Sequence, residues 1–449
     1  MTNMSALAMA NVPAALDNGF AADIDATIAP FYPADAPGAT IIVTLDGSTI
    51  FRQAYGMASV AKQEAMMPEA TMRLGSISKQ FTAVATLMLI EEGTLSLADS
   101  IVTFFPDYPA QGKHITVEHL LTHTSGIVSY TDKPDFDANI ATELTVTEMI
   151  DSFKNDPLEF APGTAFNYNN SGYFLLGAII EKISGLSYAS FVEQRIFVPL
   201  GMNSSGYEGH APRPRHAAAG HTQRDGAFVP CDPMSISQAY AAGALVSTVD
   251  DMARWERAVA SCKLISAENW TRVFTPYRLA DGSLCAYGYG WEIGTLQQRP
   301  MFAHGGGING FMTFALRLPE DRLFVAVLGN ADFGVVDPEY LAHKIAAIAI
   351  GKPLANFEAI QLDAEALDAY AGVYTVNALE QRTFWREGGQ LLMLRSGGDV
   401  TPVHPHCVNG FFIEHSLVHM AFMRDASGAV AKVVLYQHGE ANENPRVTA

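Results

Sequence analysis

Ser76 and Lys79 stand three positions apart in Gly75-Ser76-Ile77-Ser78-Lys79-Gln80-Phe81, at the head of the apolar run Phe81–Ile90. Residues at i and i+3 share a helix face, with Cβ atoms about 5–6 Å apart, so the amine reaches the hydroxyl without help from a distant element. A serine hydroxyl becomes a nucleophile when a neighbouring base takes its proton, and lysine serves as that base when apolar surroundings or a second cation lower its pKa. The run after Lys79 supplies such surroundings. A serine at a helix start also offers its own backbone N–H, one of the unpaired donors of the first turn, to an oxyanion forming there. The bland reading of the same string is an N-cap serine followed by a surface lysine, because two common residues at fixed spacing recur by chance. Two further segments decide against it.

The first is Pro162-Gly163-Thr164-Ala165-Phe166-Asn167-Tyr168-Asn169-Asn170-Ser171-Gly172-Tyr173, which places Tyr168 and Asn170 ahead of an apolar helix expected over Phe174–Ile183. The second is Phe302-Ala303-His304-Gly305-Gly306-Gly307, ahead of a strand. SxxK, YxN and HGG in this order resemble the serine β-lactamase and penicillin-binding-protein superfamily, in particular its class C-like branch of β-lactamase-related peptidases and esterases. Leu120-Leu121-Thr122-His123-Thr124-Ser125-Gly126-Ile127 and Ala242–Asp251 look like recurrent structural segments of that branch. The resemblance runs from about residue 35 to about residue 350.

The resemblance implies that Ser76 attacks a carbonyl to give an acyl-enzyme. Lys79 and Tyr168 would shuttle the proton, with Tyr168 the base for acylation and for the deacylating water. A phenol does this when cations stabilise its phenolate, and Lys79 and His304 are the cations at hand. Asn170 is expected to hydrogen-bond Lys79 or the substrate amide. The backbone N–H groups of Ser76 and Gly307 are expected to form the oxyanion hole, at about 3–4 kcal/mol per donor. Penicillin-recognising members usually open the third motif with a lysine that helps hold a substrate carboxylate; His304, largely neutral near pH 7, would hold it less firmly. Gly305, Gly306 and Gly307 would let a substrate backbone or acyl chain approach the strand.

Peptide, amide or ester hydrolysis therefore ranks above β-lactamase or DD-peptidase activity. The rival from another class is a catalytically silent binding or scaffold protein on the same fold, which has no physical reason to keep a lysine beside a serine in apolar surroundings. Structural alternatives exist for single residues: His304 packed beside the sheet, Tyr168 as a core tyrosine, Asn170 as the cap of a helix starting near Gly172. The expected site is Ser76, Lys79, Tyr168, Asn170, His304 and Gly307, with no cofactor and no metal. His119 and His123, at i and i+4, have metal-ligand spacing but no glutamate at the metalloprotease position. His404 and His406 beside Cys407 read as strand-alternating surface histidines.

A chain of 449 residues exceeds the roughly 250–300 residues at which one core stops growing, so two domains or large insertions are expected. Hydrophobic residues at 49% and charged residues at 17% describe an ordinary globular protein with ample core. A net charge of −19 argues against nucleic acid and against anionic membranes as partners. The expected partners are a small-molecule or short-peptide substrate and, as one arrangement, copies of the chain itself. The first basic residue is Arg52, so the start lacks the basic region of a secretory signal and a cytoplasmic location is favoured over a periplasmic one. No apolar run approaches the roughly 20 residues needed to span a bilayer. Cys231, Cys262, Cys285 and Cys407 allow three complete pairings, and buried free thiols are the favoured reading.

The elements that must position these groups follow from periodicity. Residues 13–31 read as an amphipathic helix, and Ala39–Tyr55 as a hairpin closed by Asp46-Gly47. Residues 97–235 form a mainly helical, turn-rich insertion, with turns at 211–215 and 216–220. A helix spans about 250–260, a hairpin 310–329 turns at Pro319–Asp321, and a helix covers 338–350. Early and late strands around a helical middle imply one antiparallel sheet flanked by helices, an α+β (α/β sandwich) domain over 1–355. From about residue 362 short alternating strands turn at Gly388-Gly389, Gly397-Gly398 and Ser427-Gly428. Tyr370-Ala-Gly-Val-Tyr374 resembles the opening of small C-terminal domains in this branch, and 356–449 is expected to be a lipocalin-like antiparallel β-barrel that restricts access, mediates assembly or adds stability.

Overall fold

The computed structural model describes residues 18–210, 216–377, 380–437 and 440–447. Two compact units divide the chain: Met1–Gly294 with Pro300–Gly351, and Thr295–Arg299 with Lys352–Ala449. Of the helix expected over 13–31, α1 (Asn18–Ile28) and a 3-10 turn at Ala29–Phe31 are present. Residues 13–17 and the turn expected at 211–215 lie outside the described residues.

In the first unit β1 (Ala39–Leu45) and β2 (Ser48–Tyr55) form the expected hairpin. Asp46 and Gly47 take φ of +56° and +73°, the left-handed pair that a tight two-residue hairpin turn requires. The late strands β3 (Glu292–Leu296), β4 (Arg299–Ile308), β5 (Phe311–Leu318) and β6 (Leu323–Gly329) complete a six-stranded sheet ordered β3-β4-β5-β6-β1-β2. β1 runs antiparallel to β6, with Ala39 opposite Gly329 and Leu45 opposite Leu323, so both ends of the unit meet in one sheet.

The helical region is built on α2 (Ser78–Glu91), α3 (Asn170–Ser184), α4 (Ile236–Gly243), α5 (Val249–Ala260) and, after the sheet, α6 (Pro338–Ala349). α6 packs on β5, β6 and α1, while α5 packs on β1 and β6. Every residue of α2 from Ser78 to Leu89 is buried, which is why the helix is apolar all round rather than along one stripe. α2 lies against α3 and α4. Two boundaries differ from expectation. α3 starts at Asn170 rather than Phe174, because Asn169 caps it by accepting the Gly172 N–H at 2.8 Å. The HGG segment lies inside β4 rather than ahead of a strand.

The second unit is an eight-stranded antiparallel sheet in chain order, nearly closed into a barrel: β7 (Gly372–Thr375), β8 (Gln381–Glu387), β9 (Gln390–Arg395), β10 (Val400–Cys407), β11 (Gly410–Phe412), β12 (His419–Arg424), β13 (Val430–Gln437) and β14 (Glu440–Pro445). A bridge between Tyr374 and Arg446, and the Val447 N–H donating to the Val373 carbonyl at 2.8 Å, bring the last segment back to the first. Tyr370, Tyr374, Phe384, Leu391, Phe411 and Phe422 are among its core residues.

All four cysteines are free thiols, but only Cys285 is buried; Cys262 and Cys407 are exposed and Cys231 half-buried, against the expectation of buried thiols. Among the described residues no single helix is long and apolar enough to cross a membrane.

Candidate active site

Gly75–Ile77 forms one 3-10 turn that runs directly into α2 and carries Ser76 at the junction. Gly75 has φ +52°, and a Cβ on it would stand 2.9 Å from the Gly307 nitrogen. Glycine is needed there for the backbone conformation and for the close approach of β4. A Cβ on Gly306 would come within 2.0 Å of the Leu74 carbonyl oxygen, which itself accepts from Thr313 Oγ1 at 2.8 Å. The sheet is thus sewn to the turn that presents Ser76. Of the three glycines expected to admit substrate, Gly307 alone meets nothing within 4 Å of its Cβ position. Gly305 faces Phe314 and Gly306 faces Leu74, so those two serve packing instead.

Lys79 is fully buried. Its Nζ lies 2.8 Å from Ser76 Oγ, 2.8 Å from Asn170 Oδ1 and 2.9 Å from the Ala242 carbonyl oxygen. Burial holds its pKa well below the usual lysine value. Asn170 is fixed by its own bonds: Nδ2 donates to Thr131 Oγ1 at 3.0 Å, and its backbone N–H donates to Ser129 Oγ at 3.2 Å. The capping role belongs to its neighbour Asn169.

Tyr168 turns its ring face to the Lys79 amine, whose Nζ is 4.8 Å from the ring centroid. Its hydroxyl is buried and makes no hydrogen bond among the described residues. Burial pushes the phenol well above its ordinary pKa; the nearby Ser76 hydroxyl pulls it down, though by less and without forming a bond in this arrangement. The expected phenolate is therefore corrected to a neutral phenol.

His304 is also corrected. It is 1% exposed, and its Nδ1 lies 2.6 Å from the Gly305 carbonyl, which accepts only, so Nδ1 carries the hydrogen. Burial, then the Lys79 charge, push its pKa down to about 3. The neutral ring takes the Tyr287 O–H at Nε2, 2.8 Å away. His304 opposes Ala315 within the sheet and its ring centroid sits 6.0 Å from that of Tyr168. It backs Tyr168 as a neutral group. It neither supplies a cation nor lines the cavity beside Ser76.

That cavity, about 130 Å³, has Thr131, Asn170 and Gly307 among its walls near Ser76. Phe136, Ile140, Met234 and Ile308 form its apolar side, and none of its lining residues is ionisable at neutral pH. Arg73 donates to the carbonyl of the lining residue Asn309 at 3.0 Å and is otherwise engaged, pairing with both Glu208 carboxylate oxygens at 2.6 and 2.8 Å.

Sequence reasoning brought together Ser76, Lys79, Tyr168, Asn170 and Gly307 and missed the groups that hold them. Ser129 and Thr131 carry no motif. The Ala242 carbonyl is a backbone group that residue type cannot announce, although the Ala242–Asp251 segment was singled out. Tyr240, two residues earlier, takes φ +39° and ψ −130° inside α4, a strained backbone at a non-glycine residue. His119 and His123 do not converge as metal ligands. His119 Nδ1 accepts the Thr116 N–H in a helix cap, and His123 Nδ1 accepts the Asn169 N–H.

Comparison with known proteins gives the family and the fold. A family profile described as Beta-lactamase matches residues 24–350. The chain is 27% identical over 430 residues to Penicillin-binding protein 4* of Bacillus subtilis (strain 168), covering 91% of this chain and 94% of that one. Among solved structures it is similar to the octameric penicillin-binding protein homologue from Pyrococcus abyssi, with 26% identity, a TM-score of 0.67 and coverage of 95% and 98%. It also shares a fold with a D-amino acid amidase from Ochrobactrum anthropi SV3, at 24% identity and TM-score 0.59 over 74% of this chain and 96% of that one.

Proposed function

The chain belongs to the beta-lactamase family and is a serine hydrolase of it, and we propose that it cleaves amide or ester bonds of small substrates with an uncharged, apolar acyl group through an acyl-enzyme on Ser76. The observation that carries this reading is the set of partners around Lys79 Nζ. A neutral amine has two N–H groups and one lone pair. Asn170 Oδ1 and the Ala242 carbonyl only accept, so they take both hydrogens and leave the lone pair for Ser76. With the amine neutral the Ser76 O–H donates to its lone pair across this 2.8 Å contact, whereas a protonated Lys79 would donate to Ser76 Oγ.

From that arrangement, the Ser76 proton passes to Lys79 as Oγ bonds to the substrate carbonyl carbon, and the carbonyl electron pair moves to oxygen beside the Ser76 and Gly307 N–H groups. On collapse the pair returns and the amine or alcohol leaves. Tyr168, held as a phenol, protonates the leaving group and is reprotonated by the Lys79 ammonium. Water then enters by the same steps in reverse. Lys79 is the base in this scheme, and Tyr168 relays. An apolar wall suits an uncharged acyl group, and a β-lactam carboxylate would find no cation among the lining residues. The D-amino acid amidase that shares this fold fits the amide side of the proposal.

Intact-mass analysis with a fluorophosphonate tests the reading. Wild type is expected to gain one adduct and Ser76→Ala none; an unmodified wild type, or an adduct on Ser76→Ala, overturns it. A panel of p-nitrophenyl butyrate, D- and L-amino-acid p-nitroanilides and a chromogenic cephalosporin tests the substrate ranking, which turnover of the cephalosporin alone would reverse. The octameric relative supports self-assembly here; light scattering that returns a monomer mass would end that part.

A further inference from the structure

His123 takes no part in the steps above, yet it is 1% exposed and lies against the rings of Tyr168, Tyr287 and Tyr173, with centroids 4.4, 4.7 and 5.1 Å away. Its bonds single out the chain on either side of Tyr168. The Asn167 N–H donates to the His123 carbonyl at 3.0 Å, and the Asn169 N–H donates to His123 Nδ1 at 3.0 Å. One residue thus holds both peptide neighbours of the phenol and covers a face of its ring. His123 does this from φ +59°, a conformation that strains side chains other than glycine or asparagine.

We propose that His123 is the positioning residue for Tyr168, clamping the chain on both sides of the phenol, and that it can do so only as a neutral imidazole. The proposal rests on Tyr168 acting in an acyl-serine mechanism. A ring nitrogen that accepts a backbone N–H carries no hydrogen, so in neutral His123 the hydrogen is on Nε2. That atom is buried with no hydrogen-bond partner among the described residues. Leaving a buried donor unpaired is costly. A phenylalanine of similar shape would avoid the cost and lose only the acceptor at Nδ1, so the acceptor is what the imidazole contributes.

Protonation would turn Nδ1 into a donor facing the Asn169 donor and would release the clamp. The groups facing the ring oppose that change. Burial is the main cause that holds the His123 pKa well below its ordinary value, and a proton on Lys79 or His304 would push it lower still. Tyr168, Tyr173 and Tyr287 are themselves kept neutral by burial, so no anion there stabilises an imidazolium. Nδ1 accepts the Asn169 N–H only while unprotonated, so that bond also favours the neutral ring.

The test compares His123→Asn, whose Oδ1 can stand near the Nδ1 position and which tolerates positive φ, with His123→Phe, which removes the acceptor, and His123→Gln, which places its amide farther out. The readouts are the rate of labelling by a fluorophosphonate, kcat and KM for p-nitrophenyl butyrate, and the thermal midpoint. His123→Phe is expected to lower kcat by about ten- to a hundredfold, the cost of misplacing a reacting group by about 1 Å, while labelling, whose fluoride leaves without a proton from Tyr168, changes little. His123→Asn is expected to restore most of the loss. If His123→Phe does not fold, His123→Asn against His123→Gln makes the same comparison. Equal kcat values for the variants with and without the acceptor, in a protein whose wild type is labelled, overturn the proposal and leave the acyl-serine reading standing. A change confined to the thermal midpoint overturns it too. A wild type that takes no label removes the reading beneath it.

Discussion

The core of the second unit and the cluster around Lys79 are both buried, and they are made of opposite materials. In the barrel, Tyr370, Tyr374, Phe384, Phe411 and Phe422 pack with ring centroids 4.7–5.7 Å apart, and the buried Tyr374 hydroxyl finds the Tyr370 carbonyl at 2.8 Å. Around Lys79 the Tyr168 hydroxyl and His123 Nε2 have no hydrogen-bond partner among the described residues. There His123 and Tyr240 sit at positive φ, and an amine is held away from its charged form. The aromatic core of the barrel follows the ordinary rules of packing, and the departures in that unit, Arg382 Nε without a partner among the described residues and Asn409 and His415 at positive φ, lie outside its core residues. The cluster breaks several of these rules at once, and such concentrated violation marks a site where stability has been given up for chemistry.

Side-chain removal should therefore have opposite signs in the two regions. Phe422→Ala, which empties the centre of the barrel core, is expected to destabilise the second unit by about 3–4 kcal/mol, read as a lower urea midpoint. Gly306→Ala sets a methyl against the Leu74 carbonyl and is expected to cost about 2–3 kcal/mol while slowing fluorophosphonate labelling. Gly307→Ala, with open space at the same atom, should stay within about 0.5 kcal/mol of wild type. Equal effects of the two glycine changes would contradict the packing assigned to β4.

The effect of opposite sign is the most telling. Lys79→Met should stabilise the fold near pH 7 while abolishing labelling. The sign follows from linkage. Folded Lys79 has a depressed pKa and binds fewer protons than the unfolded chain between that pKa and about 10.5. Wild-type stability from this group is full above that value and is lost as pH falls toward the folded pKa. The advantage of Lys79→Met should accordingly shrink as pH rises toward 10.5. A destabilised Lys79→Met at pH 7 would place this cluster with the barrel.

Much of this architecture was legible because it rests on local rules. Asp46-Gly47 admits the left-handed pair a tight hairpin needs, SxxK puts two side chains on one turn, and the apolar run after Lys79 has only a core to occupy. The start of α3 was misplaced because Asn169 and Asn170 are both plausible caps, and only the Gly172 N–H chooses between them. His304 was misread because its direction depends on facing Ala315 and on Tyr287 lying behind it, relations that arise when strands pair. The Ala242 carbonyl, which completes the environment of Lys79, belongs to the backbone and has no letter in the sequence.

The central claim is that Lys79 acts as a neutral amine, and the pH dependence of fluorophosphonate labelling reads it most directly. Wild type is predicted to label fastest above a midpoint lying well below 10.5 and to lose rate as pH falls through it, while Lys79→Arg, whose guanidinium stays charged, reacts at least about 10⁴-fold more slowly at every pH. A wild-type rate that rises only near 10.5, or a Lys79→Arg protein that labels like wild type, would contradict the account.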